Sequence, residues 1–199
     1  MYEKYEWIHS WVDCANDINL PRILLVGDSI TYGYQEIVRK KMRGKAYIDY
    51  LATSYAVDIP IYSDLIKLFV NDRHYDIIHF NHGLHGIHLE KEEYRQRMSN
   101  CLKNIVQKGK IALATCTIVF CEGNEELHPQ WNIRVEERNA AIFEIAEKKN
   151  FSLDDLYSVS LAVPKEYRRK DGTHYKRKGC EMLAAAVVSF LENMLTEAE

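Results

Sequence analysis

No uninterrupted apolar run in this sequence approaches the length of a membrane span, and no block of a single charge sign interrupts it. With 26 basic and 29 acidic residues the formal charge is only -3, which gives no electrostatic pull toward nucleic acid or an anionic bilayer. The five cysteines (Cys14, Cys101, Cys116, Cys121 and Cys180) are odd in number, and no two form a CxxC pair. A thioredoxin-type dithiol and a zinc knuckle are thereby excluded, and buried or free thiols are expected. Neither the glycine spacing of a phosphate loop nor that of a dinucleotide fingerprint occurs. The opening residues, MYEKYEWIHSWVDCANDIN, lack an apolar signal core. As given, the chain reads as cytoplasmic, although a leader removed before numbering would leave no trace.

What is present is an alternation of short apolar runs with longer stretches of helical period, the pattern of an α/β parallel sheet. A chain of 199 residues is most simply one domain, 1–199. About five strands are expected: Arg22–Val26, Ala46–Leu51, Tyr75–Phe80, Ile111–Cys116 and Phe151–Leu156. Helices are expected over Tyr34–Met42, Ile59–Val70, Glu90–Gln107, Asn132–Lys149 and Lys176–Leu195. Tyr2, Tyr5, Trp7 and Trp11 form an aromatic patch that reads as packing against the sheet edge rather than as a sugar platform. Arg134, Arg138 and Asn139 fall on a helix, where a solvated face with intrahelical pairing is expected. Right-handed crossovers put the C-terminal ends of all parallel strands on one edge, where such sheets hold their ligands.

Three segments reach that edge with chemistry to offer. Gly27-Asp28-Ser29 leaves the first strand and enters a helix, whose N-terminal amides favour developing negative charge. Far downstream, Asp171-Gly172-Thr173-His174 places a carboxylate and an imidazole in one turn. A serine needs such a base to take its proton, and the base needs a carboxylate to fix its tautomer. Between them lies HFNHGLHGIH, residues 79–88, with a histidine at every third position. Extended residues three apart point to opposite faces, so His79 and His82 cannot aim at one metal from a regular strand. His79 is expected to pack within its strand, and His82 and His88 to line or flank the cleft.

RILLVGDSITYGY at the first strand and DGTHYKRKGCEMLA before the last helix together resemble the GDSL/SGNH hydrolase family, and YDIIHFNHGLHG falls where that family's third block belongs. The resemblance implies a flavodoxin-like three-layer sandwich and a serine esterase with no cofactor. It implies Ser29 as nucleophile, His174 as base and then acid, and Asp171 as the orienting carboxylate. Its oxyanion donors would be the Ser29 amide, a backbone amide after the second strand, and a side chain from the third block. The family's usual glycine after that strand is missing here, so Ser54 is the expected donor, with Ala56 the alternative if the register differs. The third-block asparagine is replaced by His85 in register, with Asn81 as the second choice. Members with a GLH third block look similar to carbohydrate acetylesterases, so a small-molecule or saccharide ester is the expected partner, with neither nucleic acid nor membrane. Two alternatives stand beside this reading: an acyltransferase using the same triad, and a non-catalytic carbohydrate-binding module on the same scaffold.

Overall fold

A computed structural model describes residues 2–123 and 125–196. Its sheet has six strands in the order β1 (Ile8–Trp11), β3 (Tyr47–Thr53), β2 (Arg22–Gly27), β4 (Ile77–Asn81), β5 (Lys110–Ala114) and β6 (Ser152–Asp154). The last five run parallel, while β1 pairs antiparallel with β3 on the outer edge. The helices are α1 (Ser29–Lys41), α2 (Pro60–Asp72), α3 (Lys91–Lys103), α4 (Pro129–Lys149), α5 (Leu156–Leu161) and α6 (Arg177–Thr196). α1 packs with α6 on one face of the sheet, and α3 with α4 on the other. This is an α/β architecture of three layers.

Burial explains the central strands. Every residue of β2, β3 and β4 is buried, as expected for parallel strands covered on both faces. α6 is long and apolar enough by composition to cross a membrane. In this fold its apolar side joins the core instead, with Leu183, Ala184, Val187 and Leu191 fully buried.

The sixth strand, β1, was not expected from the sequence. All four of its residues are exposed, so it carries no burial signal. It is recognisable only through its pairing, Ile8 opposite Thr53 and Trp11 opposite Tyr50. α1 also begins five residues earlier than its apolar period suggests. Asp28 caps it, its carboxylate accepting from the Ile30 amide at 2.9 Å, and Arg39, Lys40 and Lys41 at the far end complement the helix dipole.

Register sets the level of the site. Gly27 lies opposite Ala52 on one side and Asn81 on the other, so three strands end together. The turns that follow, at Ser29, Ser54 and His82, share that edge. A side chain at position 27 is impossible there: a Cβ would sit 1.9 Å from Thr31 Oγ1 and 2.6 Å from the Asn81 carbonyl.

Candidate functional site

Ser29 is the first residue of α1 and is half-buried. Its Oγ lies 2.9 Å from His174 Nε2, and His174 Nδ1 lies 3.1 Å from Asp171 Oδ2. The second oxygen of Asp171 accepts from the amides of Thr173 and His174 at 2.9 and 2.8 Å. Partial burial works against the charged carboxylate. The two amides and the imidazole outweigh it, however, and hold Asp171 below its ordinary value. A carboxylate only accepts, so His174 carries its proton on Nδ1 and offers the Nε2 lone pair to the Ser29 hydroxyl.

The turn holding Asp171 and His174 is fixed by its own backbone and by the loop after β5. Arg169 N–H donates to the His174 carbonyl at 2.8 Å, and Lys176 N–H to the Tyr167 carbonyl at 2.8 Å. From the neighbouring loop, Phe120 N–H donates to the Gly172 carbonyl and Gly123 N–H to that of Lys170, both at 2.9 Å. Gly172 has φ +78, and a Cβ there would meet the Phe120 carbonyl at 2.1 Å. Both its conformation and its surroundings require glycine. A cavity of about 490 Å³ opens beside Ser29 and His174, walled by Tyr32, Glu36, Arg169 and Arg177.

Two of the other expected site residues, Ser54 and Asn81, are committed to contacts within the fold. Ser54 is buried, and its amide already donates to the Trp7 carbonyl at 3.2 Å. Its hydroxyl accepts from the Trp7 amide at 2.8 Å and donates to Glu6 Oε2 at 2.6 Å. The segment leading into β1 has taken the donor that the sequence reserves for a ligand. Asn81 is likewise buried, and its amide nitrogen donates to the Thr115 carbonyl at 3.1 Å. It braces the strand ends from within the sheet. Ala56 is buried on the loop after β3, where Gly86 packs close to its Cβ.

His85 is mostly covered, and its Nδ1 lies 2.6 Å from Glu3 Oε1. Glu3 accepts, so the neutral His85 ring bears its proton on Nδ1 and presents Nε2 as an acceptor. Donation from Nε2 requires the doubly protonated ring. That corrects the expectation of a simple amide-like donor at this position.

The histidine run divides by depth. His79 is fully buried with Nε2 2.9 Å from Asp154 Oδ2, a packed strand residue as the sequence suggests. His82 does not line an open cleft: it is buried against Tyr62, ring centroids 4.6 Å apart, and stacks 5.9 Å from His85. Burial pushes its pKa down to about 4. The Asp28 carboxylate and the carbonyls of Gly27 and Tyr55 favour its charged form, yet neither ring nitrogen closes a hydrogen bond of good geometry. His88 is at the surface beside Asp58, 3.0 Å away. Among the described residues, no three His, Cys, Asp or Glu side chains converge as a metal-binding group.

Sequence reasoning missed the second tier. Arg134 does pair within its helix as expected, with Glu137, and also reaches across to Glu90. Arg138, however, is fully buried, its guanidinium 4.4 Å over the Tyr94 ring and donating to the carbonyls of Gly86 and Leu89 at 2.9 and 2.5 Å. It holds the loop that carries His85. Asn139 brackets Cys116, accepting from its amide at 2.7 Å, and Asn132 does the same for Val119 at 3.1 Å. These side chains satisfy the irregular buried segment after β5, which no strand could.

No protein-family model and no curated protein matches this chain. Solved structures do. A lipase/acylhydrolase from Enterococcus faecalis superposes with a TM-score of 0.69 at 18% identity, over 87% of this chain and 96% of that one. An acetylxylan esterase from Geobacillus stearothermophilus gives 0.71 at 16% identity, over 86% and 94%. A Slackia heliotrinireducens protein described as a candidate SGNH hydrolase gives 0.66 at 14%, over 87% and 100%. The chain has the SGNH-hydrolase fold across nearly its whole length.

Proposed function

We propose that the protein is a serine esterase that removes a small acyl group, acetyl in the first instance, from a carbohydrate through an acyl-serine intermediate. The observation that carries this reading is the continuous relay from Asp171 through His174 to Ser29, at 3.1 and 2.9 Å. The Ser29 hydroxyl attacks the ester carbonyl as His174 Nε2 takes its proton. Asp171 stabilises the imidazolium, which then protonates the departing sugar oxygen. Water then attacks the acyl carbonyl as His174 takes its proton, and the imidazolium returns that proton to Ser29 Oγ as the acyl–oxygen bond breaks and the carboxylic acid leaves. The oxyanion is held by the Ser29 amide at the α1 N-terminus and by the Ala56 amide, since Ser54 has given its N–H to Trp7. His85 adds a third donor when its ring is doubly protonated.

The cavity beside Ser29 mixes the charged Glu36, Arg169 and Arg177 with Ile30 and Ile37, a lining that accommodates a polar carrier beside a small acyl group. Similarity in fold to an acetylxylan esterase supports an acetylated sugar as the carrier. The test is p-nitrophenyl acetate turnover, with Ser29→Ala alongside. The variant should lose activity by about 10⁴-fold or more while folding normally, and a serine-reactive phosphonate should label Ser29 alone. Turnover that survives the substitution, or labelling at another residue, refutes the assignment.

A further inference from the structure

One face of β1 carries an aromatic row that the reaction scheme leaves unused. In the extended segment that runs into β1, Trp7, His9 and Trp11 alternate onto the same side, the side that faces α1. Across from them α1 presents Tyr32, stacked on His9 with centroids 4.5 Å apart, and Arg39, whose guanidinium lies 4.9 Å from the Trp11 ring. Trp7 completes the row at 5.3 Å from His9 and 6.5 Å from Tyr32. Trp11 and Tyr32 remain 50% and 44% exposed, too open for rings placed only to fill a core. Because β1 is antiparallel, its Trp7 end lies at the catalytic edge and its Trp11 end away from it. Tyr32 belongs to both places, since it also walls the cavity beside Ser29.

We infer that this row is an oligosaccharide-binding stripe that leads the carbohydrate chain to Ser29. The inference rests on the esterase reading above and adds the form of its substrate: a chain of sugars rather than a single ring. A pyranose has a C–H face, slightly positive, that fits the negative face of an aromatic ring, while its hydroxyl rim needs donors and acceptors at the margin. Rings of Trp, Tyr and His interleaved with the Arg39 guanidinium supply both. The four residue steps from Trp7 to Trp11 span about 14 Å, the length of a short oligosaccharide. The aliphatic Ile8 points to the opposite side of the strand, so the row does not suit an acyl chain. The edge packing expected of Trp7 and Trp11 is present, with β1 paired to β3 and Trp7 against the core, and the stripe uses the ring area that this packing leaves open.

Two measurements decide this. The first is the ratio of kcat/KM on acetylated xylotetraose to that on p-nitrophenyl acetate. Trp11→Ala should lower that ratio about 10-fold, through KM rather than kcat; an unchanged ratio overturns the stripe. The second is titration of Ser29→Ala with unacetylated xylose, xylotetraose and cellotetraose, followed by tryptophan fluorescence. A tetrasaccharide should bind at least 10-fold more tightly than xylose, and adding Trp11→Ala should erase the difference. No preference for length, or a preference that survives Trp11→Ala, overturns the inference. So does a dimer in sedimentation that Trp11→Ala dissociates, which would make the row a contact between copies. If neither ester is turned over by the wild-type protein, the esterase reading fails on its own and the titration still judges the stripe.

Discussion

His174 and Ser29 are separated by 145 positions in the chain and by 2.9 Å in space. Behind them Asp171 accepts from Nδ1 and so dictates which ring nitrogen is bare. Asp171→Asn would keep the two amide contacts to its Oδ1 but turn a donor toward His174, driving the ring proton to Nε2. That tautomer cannot take the serine proton. Turnover of p-nitrophenyl acetate should fall by about 10³–10⁴-fold with the melting temperature little changed. A fall below 10-fold would remove Asp171 from the relay.

His85 donates from Nε2 only when both nitrogens are protonated, because Glu3 holds Nδ1. Turnover of p-nitrophenyl acetate should therefore fall in His85→Ala by less than the ~10²–10³-fold that losing a standing oxyanion donor costs. Glu3→Gln, which replaces the carboxylate that holds Nδ1, should change the size of that fall. Wild-type turnover in His85→Ala would leave His85 outside the oxyanion site.

Arg138→Met removes the side-chain donor to the buried Leu89 carbonyl and one of two donors to that of Gly86, which keeps the Leu89 amide. An unpaired acceptor of this kind costs about 1–3 kcal/mol, offset in part by no longer burying a charge. A loss of about 5 °C in melting temperature is expected. Turnover should fall alongside it, because the same loop positions His85. Arg138→Lys restores the charge without the fork and should rescue neither property. Full rescue by lysine would show that charge alone matters.

His82 is buried in its neutral form, with its pKa lowered from 6.5 to about 4. Between those values the unfolded chain binds the proton that the folded chain refuses, so stability falls as pH drops through the window. The loss amounts to about 3 kcal/mol at full extent. Replacing His82 with leucine should flatten the melting temperature between pH 6.5 and 4. An acid limb identical to wild type would assign the loss to other groups.

The relay was legible because each half is local. Gly27-Asp28-Ser29 marks a strand passing into a helix, and Asp171 with His174 fits within one turn. The parallel-strand pattern then places both at the same sheet edge. The oxyanion side was not legible, for a definite reason: Ser54 is occupied by Trp7, and a four-residue strand with every residue exposed leaves no periodic trace. The buried tier on α4 did leave a trace. Arg138 and Asn139 lie three and four residues after buried Val135, and Ile142 follows at the same spacing, so helical period already turned them inward.

Gly172 ties the imidazole's turn to the loop after β5, amide to carbonyl, with no space for a methyl group between them. The position of His174 is therefore set partly by Phe120 and its neighbours, which touch no reacting atom. Grafting a longer or stiffer segment over residues 120–123 to alter selectivity would retune the base before it altered the binding surface. Redesign of this protein would be safer along the free edge of β1, whose geometry the relay does not share.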